Sequence, residues 1–181
     1  MASPVTMRPV ILYIADSLDG YIARTDGRVD WLFSDADYGY TDFLKSIDTI
    51  VMGRKTYDQL LTFGEYPYRG KEVYVVSRSR AGQRDENVTF VGEEIVKKIR
   101  TLRAGDGNGI WLVGGSQLIR LFRAERLIDE IIVSIHPILL GTGIPLFMPL
   151  GLETPLEFVS SESFPSGLVQ LRYQVKPEKP K

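Results

Sequence analysis

Apolar residues fall in short bursts along the chain, and glycine or a polar turn closes each one. Val10 to Ala15 is an unbroken apolar run, the pattern of a strand covered on both faces of a parallel sheet. Thr49 to Met52, Val73 to Val76, Val88 to Val91, Ile110 to Val113 and Ile131 to Ile135 are further short strand candidates. Between them the spacing becomes helical. Tyr40, Phe43, Leu44 and Ile47 recur at i, i+3, i+4 and i+7, which predicts a helix from Asp37 to Ile47 with acidic residues at its start. Tyr57, Leu60 and Leu61 form the face of a second helix. Ile95, Val96, Ile99 and Leu102 form that of a third, from Glu93 to Arg103, stopped by the glycines between Gly105 and Gly109. Asp16 to Ala23 mixes loop formers with isolated apolar residues, and Phe63 to Lys71 reads as loop. Near the end the period falls to two. Val169, Leu171, Tyr173 and Val175 alternate with Gln170, Arg172 and Gln174, and Leu156 to Val159 is placed to pair with them across Pro165-Ser166-Gly167.

This order predicts one α/β domain over residues 1–181, with a mostly parallel central sheet flanked by helices and closed by a C-terminal antiparallel hairpin. A hydrophobic content of 44% with 25% charged residues fits a globular chain. A net charge of −1 argues against a nucleic-acid partner. No apolar run is long enough for a membrane span, and Met1 to Pro9 lacks the apolar stretch of a secretion signal, so a cytoplasmic location is expected. Without cysteine there is neither a disulfide scaffold nor a thiolate metal site, and the lone His136, which reads as structural, makes a multi-histidine zinc site impossible.

Chemistry concentrates where strands end. Ile110 to Val113 breaks at Gly114-Gly115 and re-enters at once as a helix through Ser116, Gln117 and Leu118. Such a junction either presents bare amides to an anion or is a tight turn that needs glycine. Gly53-Arg54-Lys55-Thr56 and Ser77-Arg78-Ser79 follow two other strands. In open α/β sheets ligands bind beyond the carboxyl ends of the strands, and these three ends carry amides, hydroxyls and guanidinium groups suited to phosphate. The Rossmann fingerprint G-x-G-x-x-G is absent, so the expected dinucleotide site belongs to another fold.

Ser17-Leu18-Asp19-Gly20-Tyr21-Ile22-Ala23, Met52-Gly53-Arg54-Lys55-Thr56-Tyr57, Val76-Ser77-Arg78 and Val113-Gly114-Gly115 stand in the order and spacing of the dihydrofolate reductase-like superfamily. The stretch Pro137 to Phe147 resembles the branch that holds the reductase domain of riboflavin biosynthesis. The resemblance, from about Arg8 to Val175, implies an NADPH-dependent reductase. It places Arg54, Lys55 and Thr56 on the cofactor phosphates, Ser77 and Arg78 on the 2′-phosphate, and Gly114, Gly115, Ser116, Gln117 and Leu118 around the pyrophosphate. Gly53 belongs to the same cofactor set, Ala15 and Ile22 would lie against the nicotinamide, and the Gly114–Gly115 peptide is expected to be cis.

The resemblance also implies a carboxylate on the first helix that faces the substrate ring. Asp37 matches best and Asp42 follows, with Asp35 and Asp19 as further candidates. Capping is the competing role of Asp35 and Asp37. Asp37, placed partly buried near Trp31, is expected to hold a raised pKa and relay a proton. Asp19 and Trp31 are candidate substrate contacts. Lys71 stands where folate reductases use an arginine for the glutamate tail, and lysine lacks the planar fork that grips a carboxylate. The expected reaction is hydride transfer to a pteridine- or pyrimidine-type small molecule. The rival is a catalytically inactive NADP(H)-binding module, and the apolar segment Ile138 to Leu150 suggests a homodimer.

Overall fold

A computed structural model describes residues 7–177 of the chain. In chain order the elements are β1 (Val10–Ser17), β2 (Tyr21–Ala23), α1 (Tyr40–Ser46), β3 (Ile47–Gly53), α2 (Arg54–Leu60), a 3₁₀ turn (Leu61–Phe63), β4 (Glu72–Val76) and β5 (Thr89–Val91). They continue with α3 (Ile95–Arg103), β6 (Gly109–Gly114), α4 (Ser116–Ala124), β7 (Glu130–His136), β8 (Ile144–Pro145), β9 (Leu156–Ser163) and β10 (Val169–Val175).

The main sheet runs β5-β4-β3-β6-β1-β7-β10-β9. The strands from β5 to β7 are parallel, whereas β10 returns antiparallel to β7 and pairs antiparallel with β9. β1 lies between β6 and β7, which explains its unbroken apolar run. Alternate side chains of β1 enter two cores. Val10 and Leu12 join Ile95 and Ile99 of α3 and Leu118, Ile119 and Phe122 of α4. Ile11 joins Phe43 of α1 and Tyr57 of α2 on the opposite face. Fully burying a side chain such as Phe122 stabilises the fold by roughly 1.5–3 kcal/mol. α4 forms because its apolar residues share one stripe while Arg120 and Arg123 point outward or half-outward.

Three boundaries differ from the sequence expectation. α1 begins at Tyr40 rather than Asp37, because Tyr38 and Gly39 have φ of 52° and 78°, in the left-handed region that no helix interior adopts. Ile47 is extended and fully buried, and it opens β3 instead of closing α1. α3 begins at Ile95, since the Glu94 carboxylate turns back to accept the Gly92 N–H at 3.0 Å. The segment read as loop before Ala23 supplies β2, which pairs antiparallel with β8 as a ribbon apart from the main sheet. β9 is an exposed edge along its whole length.

Candidate active site

β3 and β6 end side by side. A Cβ built on Gly53 would lie 3.6 Å from both the Gly114 carbonyl and the Gly115 nitrogen, and one on Gly115 would lie 3.8 Å from Thr56 Oγ1. Gly114 has a φ of 128°, a conformation that side chains disfavour, and the Gly114–Gly115 peptide is cis. The amides of Leu118 and Ile119 both close on the Gly115 carbonyl at 3.0 Å. Among the described residues that leaves the Ser116 and Gln117 amides as open donors at the start of α4, with the helix dipole behind them. The Leu118 side chain is in the core, so only its backbone belongs to this turn. Ser116 Oγ donates to the Pro145 carbonyl, which ties β8 to α4.

The neighbouring strand end supplies charge. Arg54 donates to Asp58 at 3.2 Å and to Ser79 Oγ at 3.3 Å, so it spans the turns after β3 and β4. Ser77 is buried, with its Oγ 3.4 Å from Ser79 Oγ and its amide on the Val91 carbonyl at 2.8 Å. Arg78 and Lys55 are exposed and have no ion pair among the described residues. Open amides, hydroxyls and two uncommitted cations along one row of strand ends fit the phosphates of a dinucleotide.

On the α1 face of β1 the character changes. Tyr13, Tyr40, Leu44, Leu60, Tyr66 and Val113 are half-buried against the core, and Leu61 and Phe63 are exposed beside them. The Tyr13 and Tyr40 rings stack at 6.4 Å with 25° between their planes. At one end is a polar group built from three strands and a loop. Gln170 Nε2 donates to Ser134 Oγ at 3.1 Å, to the Tyr38 carbonyl at 3.3 Å and to the Tyr13 hydroxyl at 3.4 Å. Ser134 pairs with Ala15 in register, so this group borders the residue expected under the nicotinamide. Burial raises the Tyr13 pKa, opposed by the Gln170 and Ser134 contacts and helped by the nearby Asp37 charge. Apolar walls with a few converging polar groups are what a small planar ligand needs.

The acid candidates fall differently from expectation. Asp37 is exposed, not partly buried, and accepts from the Thr41 amide at 3.1 Å and the Thr41 hydroxyl at 2.5 Å. It caps the entry to α1 while its charge reaches Tyr13. Asp42 is exposed and paired with Lys45 at 2.8 Å, which holds its carboxyl below the ordinary range. Asp35 accepts the Tyr38 hydroxyl at 2.7 Å. Asp19 accepts from Ser17 Oγ at 2.5 Å and from the Leu140 and Gly141 amides at 3.1 and 2.7 Å, so it braces the 138–141 turn against β1. Ile22 packs half-buried on the α4-side core.

A carboxylate buried at the end of β1, which sequence reading passed over, is Asp16. It is 7% exposed, its Oδ1 has no partner, and burial pushes its pKa up to about 7. The available signal was a charge directly at the end of an apolar run. His136 is also buried; Nδ1 meets the Ser134 carbonyl at 3.1 Å and Nε2 accepts the Phe33 amide at 3.2 Å. Those bonds assign a neutral ring with its proton on Nδ1, and burial lowers its pKa. Trp31 is buried edge-on to this ring at 5.1 Å. Tyr13, Ser134 and Gln170 were likewise missed, because each looks like an ordinary strand residue in sequence.

Among the described residues no helix is long and apolar enough to cross a membrane, and no acidic, histidine or cysteine cluster could hold a metal. The RibD C-terminal domain model matches residues 8–170. The uncharacterized protein YwjB of Bacillus subtilis is 41% identical over 170 residues, covering 92% of this chain and 97% of the relative. A putative riboflavin biosynthesis protein from Shewanella superposes with a TM-score of 0.83 at 34% identity, covering 93% of this chain and 99% of that one. Dihydrofolate reductase from Enterococcus faecalis, complexed with NADP(H) and RAB-propyl, shares the fold at a TM-score of 0.70 and 16% identity, covering 93% and 97%. The architecture is thus a dihydrofolate reductase-like, reductase-type fold, and the chain belongs to the RibD C-terminal domain family.

Proposed function

We propose that the protein is an NADPH-dependent reductase that transfers hydride to a C=N or C=O carbon of a pteridine- or pyrimidine-type substrate. The observation that carries this is the convergence of Gly53, Gly114 and Gly115 beside the Arg54–Ser79 contact, next to an aromatic cleft. When bound, NADPH would supply the hydride. The Ser116 and Gln117 amides and Thr56 would hold its pyrophosphate, and Ser77, Arg78 and Arg54 its 2′-phosphate, with Ala15 and Ile22 against the ring. Tyr13 and Tyr40 would set the plane of the substrate. Asp37, at the rim near the Tyr13 hydroxyl, would deliver the proton from solvent to the substrate nitrogen, while Gln170 and Ser134 fix the ring edge.

Two guanidinium groups at the 2′ position favour NADPH over NADH by on the order of a hundredfold, at roughly 1.5–3 kcal/mol for each charge-assisted contact. Titration calorimetry with both cofactors tests this. Equal affinities overturn the 2′-phosphate assignment, and binding of neither overturns the reductase reading. The exposed position of Asp37 favours a second reading, a catalytically inactive NADP(H)-binding module. Stopped-flow oxidation of bound NADPH by pterins and ribosylaminopyrimidines separates the two. A cytoplasmic homodimer is the proposed assembly, supported by Leu139 and Phe147 exposed between Ile138 and Leu150 and by the open β9 edge. A monomeric mass by light scattering at micromolar concentration would remove it.

A further inference from the structure

We propose that Asp16 is a proton-operated latch beneath the β2–β8 ribbon: with its carboxyl protonated the ribbon lies down on β1, and with it ionised the ribbon lifts and the cofactor site loses a wall. The cofactor half of this rests on the reductase reading above; the ribbon half does not.

Asp16 shares a face of β1 with Leu12 and Ile14, toward the core that α3 and α4 cover. Its register partner on β7 is Ile135. Ile135, Ile22 of β2 and Leu146 beside β8 all pack into that core. The carboxyl is thus set among apolar side chains, 7% exposed, with no partner for Oδ1. A carboxylate there gives up its hydration for its own backbone amide alone, whereas the neutral acid gives up much less. The charged group that acts on it is Asp19, of like sign. The His136 ring bonds the Asp16 backbone from the opposite face of the sheet, and burial opposes its charging. β2 and β8 carry no cation. On α4, Arg120 and Arg123 donate instead to the Pro149, Met148 and Leu152 carbonyls. Burial accordingly pushes the Asp16 carboxyl up to about 7.

The ribbon is thinly held. Its register pairs are Tyr21 with Pro145 and Ala23 with Ile144, with an irregularity between them, and Pro145 has no N–H to give. The Leu146 amide donates to the Gly20 carbonyl at 2.9 Å, and Ser116 Oγ donates to the Pro145 carbonyl. A further anchor is Ser17, the residue next to Asp16. Its carbonyl accepts the Gly20 amide at 2.8 Å and its Oγ accepts the Tyr21 amide at 3.0 Å. Moving Asp16 toward water therefore moves the anchor of β2. Ile22 is the residue placed above against the nicotinamide, and Ser116, placed at the pyrophosphate, is tied to β8. Lifting the ribbon withdraws the first and frees the second. The closed ribbon holds a proton that the open one sheds, so opening grows with pH above the ordinary 3.8 and levels off near 7.

The test is native-state hydrogen exchange from pH 5 to pH 8 on wild type, on Asp16→Asn and, should that variant misfold, on Asp16→Val. At the Gly20, Tyr21 and Leu146 amides, the ratio of wild-type to variant opening should rise about tenfold per pH unit up to pH 7. These amides should also open far more often than those of Leu12 and Leu112 in the central strands, which report global unfolding. A rise confined to Leu12 and Leu112 ties Asp16 to global unfolding and overturns the latch, as does a constant ratio. In parallel, fluorescence titration should show the NADPH Kd weakening by up to about tenfold in wild type relative to the variant between pH 6 and pH 8. The cofactor phosphates ionise alike in both, so the ratio isolates Asp16. A constant Kd ratio while the ribbon amides respond overturns the cofactor half. Absence of NADPH binding at every pH fails the reductase reading instead, and hydrogen exchange then decides the latch by itself.

Discussion

At the proposed cofactor end, Gly53, Thr56, Ser77, Arg78 and Gly114 to Gln117 lie at or directly after the ends of β3, β4 and β6. At the proposed substrate end, Tyr13, Ser134 and Gln170 meet from three strands, the first and the last 157 positions apart. One end is a row of local turns, each complete within a few residues. The other exists only once the sheet has formed. The donors differ as well: the first end gathers backbone amides and the Arg54–Ser79 contact, the second the Gln170 amide and the Tyr13 and Ser134 hydroxyls. The two halves should respond separately to substitution, the first in affinity for the cofactor and the second in turnover and KM.

The sharpest way to break that separation is Asp37→Asn. Loss of a positioned acid is expected to lower turnover by roughly 10²-fold while NADPH affinity measured by calorimetry stays the same. Full turnover with a verified substrate would move the acid elsewhere, with Asp42 next in line. Arg78→Ala is the mirror experiment. It should weaken NADPH by roughly ten- to a hundredfold, leave NADH unaffected and flatten the salt dependence of NADPH binding; an equal loss for both cofactors would take Arg78 off the 2′ position.

Asp16 stands between the halves and gives a pH test. Its pKa is about 7 in the fold against an ordinary 3.8, so between those values the native state holds a proton that the unfolded chain has shed. Stability therefore falls as pH rises through this window, by up to about 1.4 kcal/mol per pH unit. Asp16→Asn removes this contribution to the slope, and its stability relative to wild type should rise by about 3 kcal/mol between pH 4.5 and pH 7.5, as read from urea melts. His136 works in the opposite direction. Its lowered pKa makes stability rise with pH until the unfolded value of 6.5 is passed. Because the two oppose each other, the difference between variant and wild type is what decides: an Asp16→Asn profile parallel to wild type from pH 4.5 to 7.5 would contradict the Asp16 assignment. The smallest effect is expected from Gln170→Ala, about 1 kcal/mol in substrate binding, seen as a severalfold rise in KM with no change for NADPH.

Legibility in sequence follows the same division. Hydrophobic period and glycine placement were enough for the order of buried strands, for α4 and for the closing hairpin. They were enough for where the strands end too, because glycine and serine mark those turns within a few residues, while the cofactor roles given to them stand as the proposal above. They failed at α1, where two left-handed residues delay the helix, and at β2 and β8, whose pairing is too short to leave a pattern. They failed again at Gln170, whose place in the polar phase of the alternation points to solvent although the sheet turns it toward Ser134 and Tyr13. Asp16 was hidden for a different reason: a polar residue at the end of an apolar run looks like the start of a loop until the strand is seen to continue through Ser17.

The amine of Lys71, which donates to the Leu44 and Ile47 carbonyls, bears on how the chain can change over evolutionary time. A position that fastens the end of α1 to the sheet cannot take up a new ligand by one exchange, because a replacement side chain that reaches outward abandons the Leu44 and Ile47 carbonyls. Orphaning such acceptors costs about 1–3 kcal/mol each where they are buried, a large part of the 5–15 kcal/mol that holds an ordinary domain together. A lineage that gained a tail-binding arginine there would need a second substitution first, to close α1 by other means.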